Sequence, residues 1–157
     1  EICVRGATLF AGYYRAGELE LPLDDEGWFH TRDKGRFTAA GELLVEGRLD
    51  NLFISGGENI QPETIEQRLV DHPAVAQALV VPVPSDEWGQ RPAAFIDWHG
   101  EPVPYPELAV WIRSALPGFM VPDHWLPWPD LGGNLKPSRQ QLGKIARQLT
   151  TLSQQAE

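Results

Sequence analysis

Three short stretches put charged residues or glycines where they could act on a phosphate, a sugar or a carboxylate. In the first, GWFHTRDKGRF (residues 27–37), Asp33 lies among aromatic and basic neighbours. A carboxylate so placed could accept two hydrogen bonds from a vicinal diol, as acids do when they read a ribose. It could equally be a turn acid paired with Arg32, Lys34 or Arg36. The second, GRLDNLFISGGENIQPETIE (47–66), runs from Arg48 and Asp50 into Ser55-Gly56-Gly57. Adjacent glycines tolerate positive φ and let a ligand approach the main chain, but a plain hairpin connector asks for the same residues. No G-x-x-x-x-G-K-[ST] phosphate loop occurs anywhere in the chain. The third, GGNLKPSRQQL (132–142), carries Lys136 two residues ahead of a helix cap. A lysine there is a movable point charge for developing phosphate or carboxylate charge, or simply a solvated surface residue.

These stretches need a frame to hold them. Residues 1–49 read as short strands punctuated by turns at DDEGW and TAAGE, with residues 38–41 closing a hairpin onto ELLVEG. From residue 50 strands and helices alternate. PETIEQRLVDHP begins a helix at Pro62, with Ile65, Leu69 and Val70 forming its apolar face. AVAQALVVPV (74–83) and AAFIDWH (93–99) are apolar enough for burial on both faces. YPELAVWIRSAL (105–116) is a second helix, and HWLPW holds a short strand. A third helix starts at Ser138, where S-x-x-Q is a capping box, and buries Leu142, Ile145, Leu149 and Leu152. The shift near residues 48–50 predicts a boundary, with β strands before it and a compact α+β domain of roughly 100 residues after it.

Composition bounds the function. A chain of 157 residues supports one full core, or a small domain and part of another. The single cysteine, Cys3, excludes an internal disulfide and fits a reducing, cytoplasmic setting. No apolar run approaches the ~20 residues that span a bilayer, and no signal-peptide pattern is present. A formal charge of −9 argues against nucleic-acid binding, although Lys136, Arg139, Lys144 and Arg147 face only Glu157 after residue 130. His30, His72, His99 and His124 lack ligand spacing, so no metal site is expected, and the six tryptophans are expected in packing roles. The opening EICVRG has no initiator methionine and alternates like mid-strand, which predicts the C-terminal part of a longer polypeptide. Dimerisation through an exposed edge of the first strands stays open.

Taken in order, the three stretches resemble the C-terminal signature of the adenylate-forming enzymes, which include acyl- and aryl-CoA ligases, luciferases and peptide-synthetase adenylation domains. The matching patterns are GWF-x-T-x-D-x-G, then GR-x-D-x-x-x-x-SGGENI-x-P-x-x-IE, then a lysine, spanning residues 27–139. The resemblance implies an α+β lid domain over residues 50–157: a small mixed or antiparallel sheet flanked by about three helices. Residues 1–49 would be the β-strand end of a larger N-terminal domain. It implies ATP and CoA as substrates together with a small carboxylic acid, and Mg2+ accompanying ATP without an identifiable site in this chain. By motif position, Asp33 would bind the ribose hydroxyls with support from Arg48, and Asp50 would be the hinge. Lys136 would be catalytic in adenylation, and Ser55, Gly56 and Gly57 would form the loop near the CoA thiol. This chain departs from the pattern twice. Arg32 stands where the family usually has glycine, and Leu135-Lys136-Pro137 replaces Gly-Lys-Ile, with Pro137 holding Lys136 to extended backbone. A non-catalytic α+β interaction module is the rival reading, and it requires Lys136 and Asp33 to tolerate substitution.

Overall fold

The computed structural model describes residues 1–130 and 138–154, with side chains through residue 151. Two compact units divide the chain, Glu1–Asn51 and Leu52–Glu157.

The first unit consists of antiparallel pairs. β1 (Cys3–Val4) pairs with β4 (Phe29–His30), β2 (Tyr13–Arg15) with β3 (Glu18–Glu20), and β5 (Asp33–Phe37) with β6 (Leu43–Arg48). Local polar groups make the turns. The Asp24 carboxylate accepts the backbone N–H groups of Glu26 and Trp28, and Thr38 Oγ1 accepts that of Glu42, closing the hairpin expected from TAAGE. Between β2 and β3, Ala16 and Gly17 both have positive φ, at 49° and 92°. This two-residue hairpin was not evident in the sequence. A 3₁₀ turn, Leu49–Asn51, ends the unit.

The second unit is α+β. Its sheet is mixed: β10 (Gly89–Trp98) lies in the middle, antiparallel to β9 (Val75–Ser85) and parallel to β11 (His124–Pro127). Alternation along the strands sends side chains to two buried faces. Val75, Val80, Ala94 and Ile96 pack with Ile65 and Leu69 of α1 (Pro62–Val70) and with Leu108 and Ile112 of α2 (Tyr105–Arg113). On the opposite face Val81, Val83, Ala93 and Phe95 meet Leu142 and Ala146 of α3 (Arg139–Gln154). A helix on each side thus accounts for strands without polar alternation.

Two helix faces differ from expectation. Val70 is exposed, because Ile65 and Leu69 at i and i+4 already define the buried line of α1 and Val70 is turned away from it. On α3 the buried line is Leu142, Ala146 and Thr150, with Ile145 partly buried and Leu149 exposed; the Leu152 side chain lies outside the described residues. Small Ala146, next to Leu142, faces the sheet and lets the helix approach, while Leu149 does not. Among the described residues, no helix is long and apolar enough to cross a membrane.

Candidate functional site

In the first unit β5 and β6 bring Asp33 and Arg48 into register as cross-strand partners. Arg48 donates from Nη1 to Asp33 Oδ1 at 3.1 Å and from Nη2 to Asp50 Oδ2 at 3.0 Å. Arg32 completes the cluster, donating from Nε and Nη2 to Asp50 Oδ1 at 3.0 and 2.9 Å. Asp33 and Arg48, expected at the ribose, and Asp50, expected as the hinge, therefore share one chain of charge-assisted hydrogen bonds. A carboxylate has about four lone-pair sites, so Arg48 leaves Asp33 acceptor capacity for vicinal hydroxyls. The Asp33 backbone N–H donates to Thr31 Oγ1, which fixes the start of β5. Hydrogen bonds from Arg32, then Arg48, hold the Asp50 carboxyl below its ordinary value.

Arg32 has φ of 64°. This left-handed backbone is the conformation glycine adopts without penalty, so the geometry at this position is the kind that favours glycine. The arginine accepts the strain and gains the Asp50 pair. The left-handed backbone and the ion pair to Asp50 thus occur at one residue.

In the second unit β7 (Phe53–Ser55) and β8 (Glu58–Ile60) form a hairpin whose two central residues are Gly56 and Gly57. Their φ angles of 57° and 87° are those of a type I′ turn, which needs positive φ at both positions. The connector geometry is therefore present, and the backbone at its tip carries no side chain. The Gly56 N–H donates to the Trp88 carbonyl at 2.9 Å, while a Cβ on Gly56 would fall 2.4 Å from Trp88 Cε3. Ser55 is 2% exposed, and its Oγ accepts a hydrogen bond from Arg91 Nη1 at 3.2 Å. A cavity of about 350 Å³ adjoins the turn, lined by Ser55, Gly56, Glu58, Trp88, Arg91 and Asp123 among others.

Lys136 lies outside the described residues. Three residues later the structure resumes in detail: Arg139 at the start of α3 donates to both Glu66 carboxylate oxygens, the closer at 2.6 Å, and bonds the Val80 carbonyl. Ser138 Oγ accepts from the Gln141 N–H at 3.5 Å, in keeping with the expected cap.

Sequence reasoning gave no role to Arg91 and expected Trp88 among the core and packing residues. Trp88 is 47% exposed and packs against the glycine turn. The partnership joins residues about thirty positions apart, so only the tertiary structure reveals it. Nor did spacing reveal that Glu1, Cys3 and His30 bring possible ligand atoms within 4.8 Å of one another. There His30 bridges two carboxylates, Nδ1 to Glu1 at 2.9 Å and Nε2 to Asp24 at 3.0 Å, and those hydrogen bonds raise its pKa above the ordinary imidazole value.

Comparison with known proteins adds to this geometry. Residues 64–131 match the AMP-binding enzyme C-terminal domain family. The 2-succinylbenzoate–CoA ligase of Escherichia coli (strain K12) is 44% identical over 144 residues, covering 90% of this chain and 31% of that protein. The peroxisomal trans-cinnamate:CoA ligase of Petunia hybrida is 36% identical over 125 residues, covering 79% of this chain and 22% of that protein. Among solved structures, o-succinylbenzoate CoA synthetase (MenE) from Bacillus subtilis in complex with the acyl-adenylate intermediate OSB-AMP matches with a TM-score of 0.75 at 35% identity. That match covers 90% of this chain and 30% of that one. The chain thus spans between about a fifth and a third of the length of these relatives. With its mixed sheet between helices, its I′ glycine turn and its match over residues 64–131, the chain belongs to the AMP-binding, adenylate-forming enzymes, of which it carries the C-terminal domain.

Proposed function

We propose that the protein containing this chain is an ATP-dependent acid–CoA ligase whose acid is o-succinylbenzoate, placed in menaquinone biosynthesis and in the cytoplasm. In the first half-reaction the substrate carboxylate attacks the α-phosphorus of ATP, giving an acyl-adenylate and releasing pyrophosphate. In the second the CoA thiol loses its proton, its sulfur bonds to the acyl carbon, and AMP leaves with the bonding electrons. ATP enters as its Mg2+ complex.

Each assigned residue answers one demand of that sequence. Asp33 accepts hydrogen bonds from the ribose hydroxyls, with Arg48 holding its Oδ1 and carrying positive charge near the nucleotide. Lys136 bridges the attacking carboxylate and the α-phosphate, offsetting charge that grows in the adenylation transition state. Thioester formation needs a different surface, because a lysine filling the site would obstruct the thiol. A hinge at Asp50 provides the exchange of faces, with the Asp50 side chain clamped by Arg32 and Arg48. The Ser55-Gly56-Gly57 turn then approaches the thiol with backbone alone.

The observation that carries the choice of acid is the likeness to the E. coli ligase, which extends through 90% of this chain. Its test is ATP–pyrophosphate exchange by the full-length enzyme across a panel of acids. Exchange should be fastest with o-succinylbenzoate. The Petunia likeness supports a second reading, a ligase of the same family for another aryl acid, and faster exchange with cinnamate or benzoate would establish it. Absence of exchange with every acid would return the chain to the rival class, a non-catalytic interaction module.

A further inference from the structure

The second unit contains a guanidinium whose five N–H donors are all used, and the ligase mechanism above gives it no task. Arg91, on β10, has a side chain only 12% exposed. Nε donates to Asp123 Oδ2 and Nη2 to Asp123 Oδ1, each at 2.7 Å. Nη2 also donates to the Val121 carbonyl at 3.2 Å, and Nη1 to the Phe119 carbonyl at 2.8 Å. The remaining Nη1 hydrogen goes to Ser55 Oγ at 3.2 Å. Arginine has five donors in a rigid fork and no acceptor, so all of its hydrogen-bonding capacity is spent joining three separate segments. These are the central strand, the 118–123 stretch leading into β11, and the last residue before the glycine turn.

We propose that Arg91 is a positioning residue for thioester formation, setting where the Gly56-Gly57 turn stands through Ser55. The inference rests on the ligase reading and assigns a residue that reading leaves unused. Two bonds suspend the turn from one stretch of chain: Arg91 holds Ser55 Oγ, and the Trp88 carbonyl accepts from the Gly56 N–H. Glycines at the tip remove side chains from the approach of a thiol, but they also remove packing that would hold the backbone still. The rigidity must come from outside the turn, and a half-buried guanidinium, held by four other hydrogen bonds and donating the fifth to the preceding residue, supplies it. Asp123 fixes the fork by charge, and the two carbonyls fix its plane. A displacement on the order of 1 Å at a reacting group can cost about 10²-fold in rate. Adenylation, which depends on Lys136 rather than on the glycine turn, should not feel such a displacement.

The test uses full-length enzyme and follows each half-reaction separately: acyl-adenylate formation from ATP and acid, and thioester formation from supplied acyl-adenylate and CoA. Arg91→Ala should slow thioester formation about 10- to 100-fold, with altered KM for CoA, and leave adenylation within about threefold. Arg91→Lys should fall between, because an ammonium can hold Asp123 but cannot span Ser55 and two carbonyls as well. Asp123→Asn and Ser55→Ala weaken the clamp from its two ends and should show the same selective loss, even where Arg91→Ala fails to fold. Equal losses in both half-reactions, or unchanged thioester formation in the Arg91 and Asp123 variants, would overturn the assignment and leave Arg91 a brace of the fold. Lack of adenylation by the parent enzyme would instead refute the ligase reading.

Discussion

Asp50 and His30 show how individual charges are poised in the first unit. The Asp50 carboxyl is held low by hydrogen bonds from Arg32 and then Arg48, while Glu1 and then Asp24 raise His30. A depressed carboxyl stabilises the fold above its unfolded value, near 3.8 for Asp50, and that contribution is lost as pH falls through the folded value. A raised histidine contributes fully below its unfolded value, near 6.5 for His30, and that contribution is lost as pH rises through the folded value. Residue-resolved NMR titration should therefore give Asp50 a midpoint below 3.8 and His30 a midpoint above 6.5, and His30→Gln should remove the alkaline-side loss of stability. At this scale the sequence exposed Asp33, Arg48 and Asp50 as candidates because their types and spacing matched a motif. It could not reveal that Arg32 reaches Asp50, since that pairing depends on a left-handed backbone where most residues avoid one.

The glycine turn shows what an element adds beyond its residues. Gly56 and Gly57 both have positive φ, yet Gly56 stands under the Trp88 ring, whereas no atom of the described residues lies within 4 Å of a Cβ built on Gly57. Either alanine incurs about 1–2 kcal/mol of left-handed strain. Gly56→Ala must in addition displace the indole, so urea unfolding should place it below Gly57→Ala in stability. Equal destabilisation would mean that the ring moves freely. Elements of the second unit were legible where local chemistry and burial agreed. Pro62 starts α1, Ser138 caps α3, and unbroken apolar runs became the sheet strands β9 and β10. Faces were less legible than spans. Val70 and Leu149 look like core positions by type, but neighbouring helix positions already fill the contact with the sheet. In the first unit, two- and three-residue strands such as β1 and β2 carry too few residues for a periodic signal.

At the scale of the whole molecule, the proposed ligase must stabilise phosphoryl charge and later admit a bulky thiol, and the proposal assigns separate residues of this chain to each. Lys136 and the Asp33–Arg48 pair are the residues proposed for the first task, and the backbone-only turn, bonded through Ser55 to Arg91, for the second. The hinge assigned to Asp50 is what makes the two sets compatible. The chain divides into two units after Asn51. The measurement that bears most directly on this division of labour is the pair of half-reaction rates for Lys136→Ala in the full-length enzyme. Adenylation should fall by about 10²-fold or more, as expected on losing one preorganised charge donor, while thioester formation from supplied acyl-adenylate should fall far less. An equal fall in both rates would contradict the account.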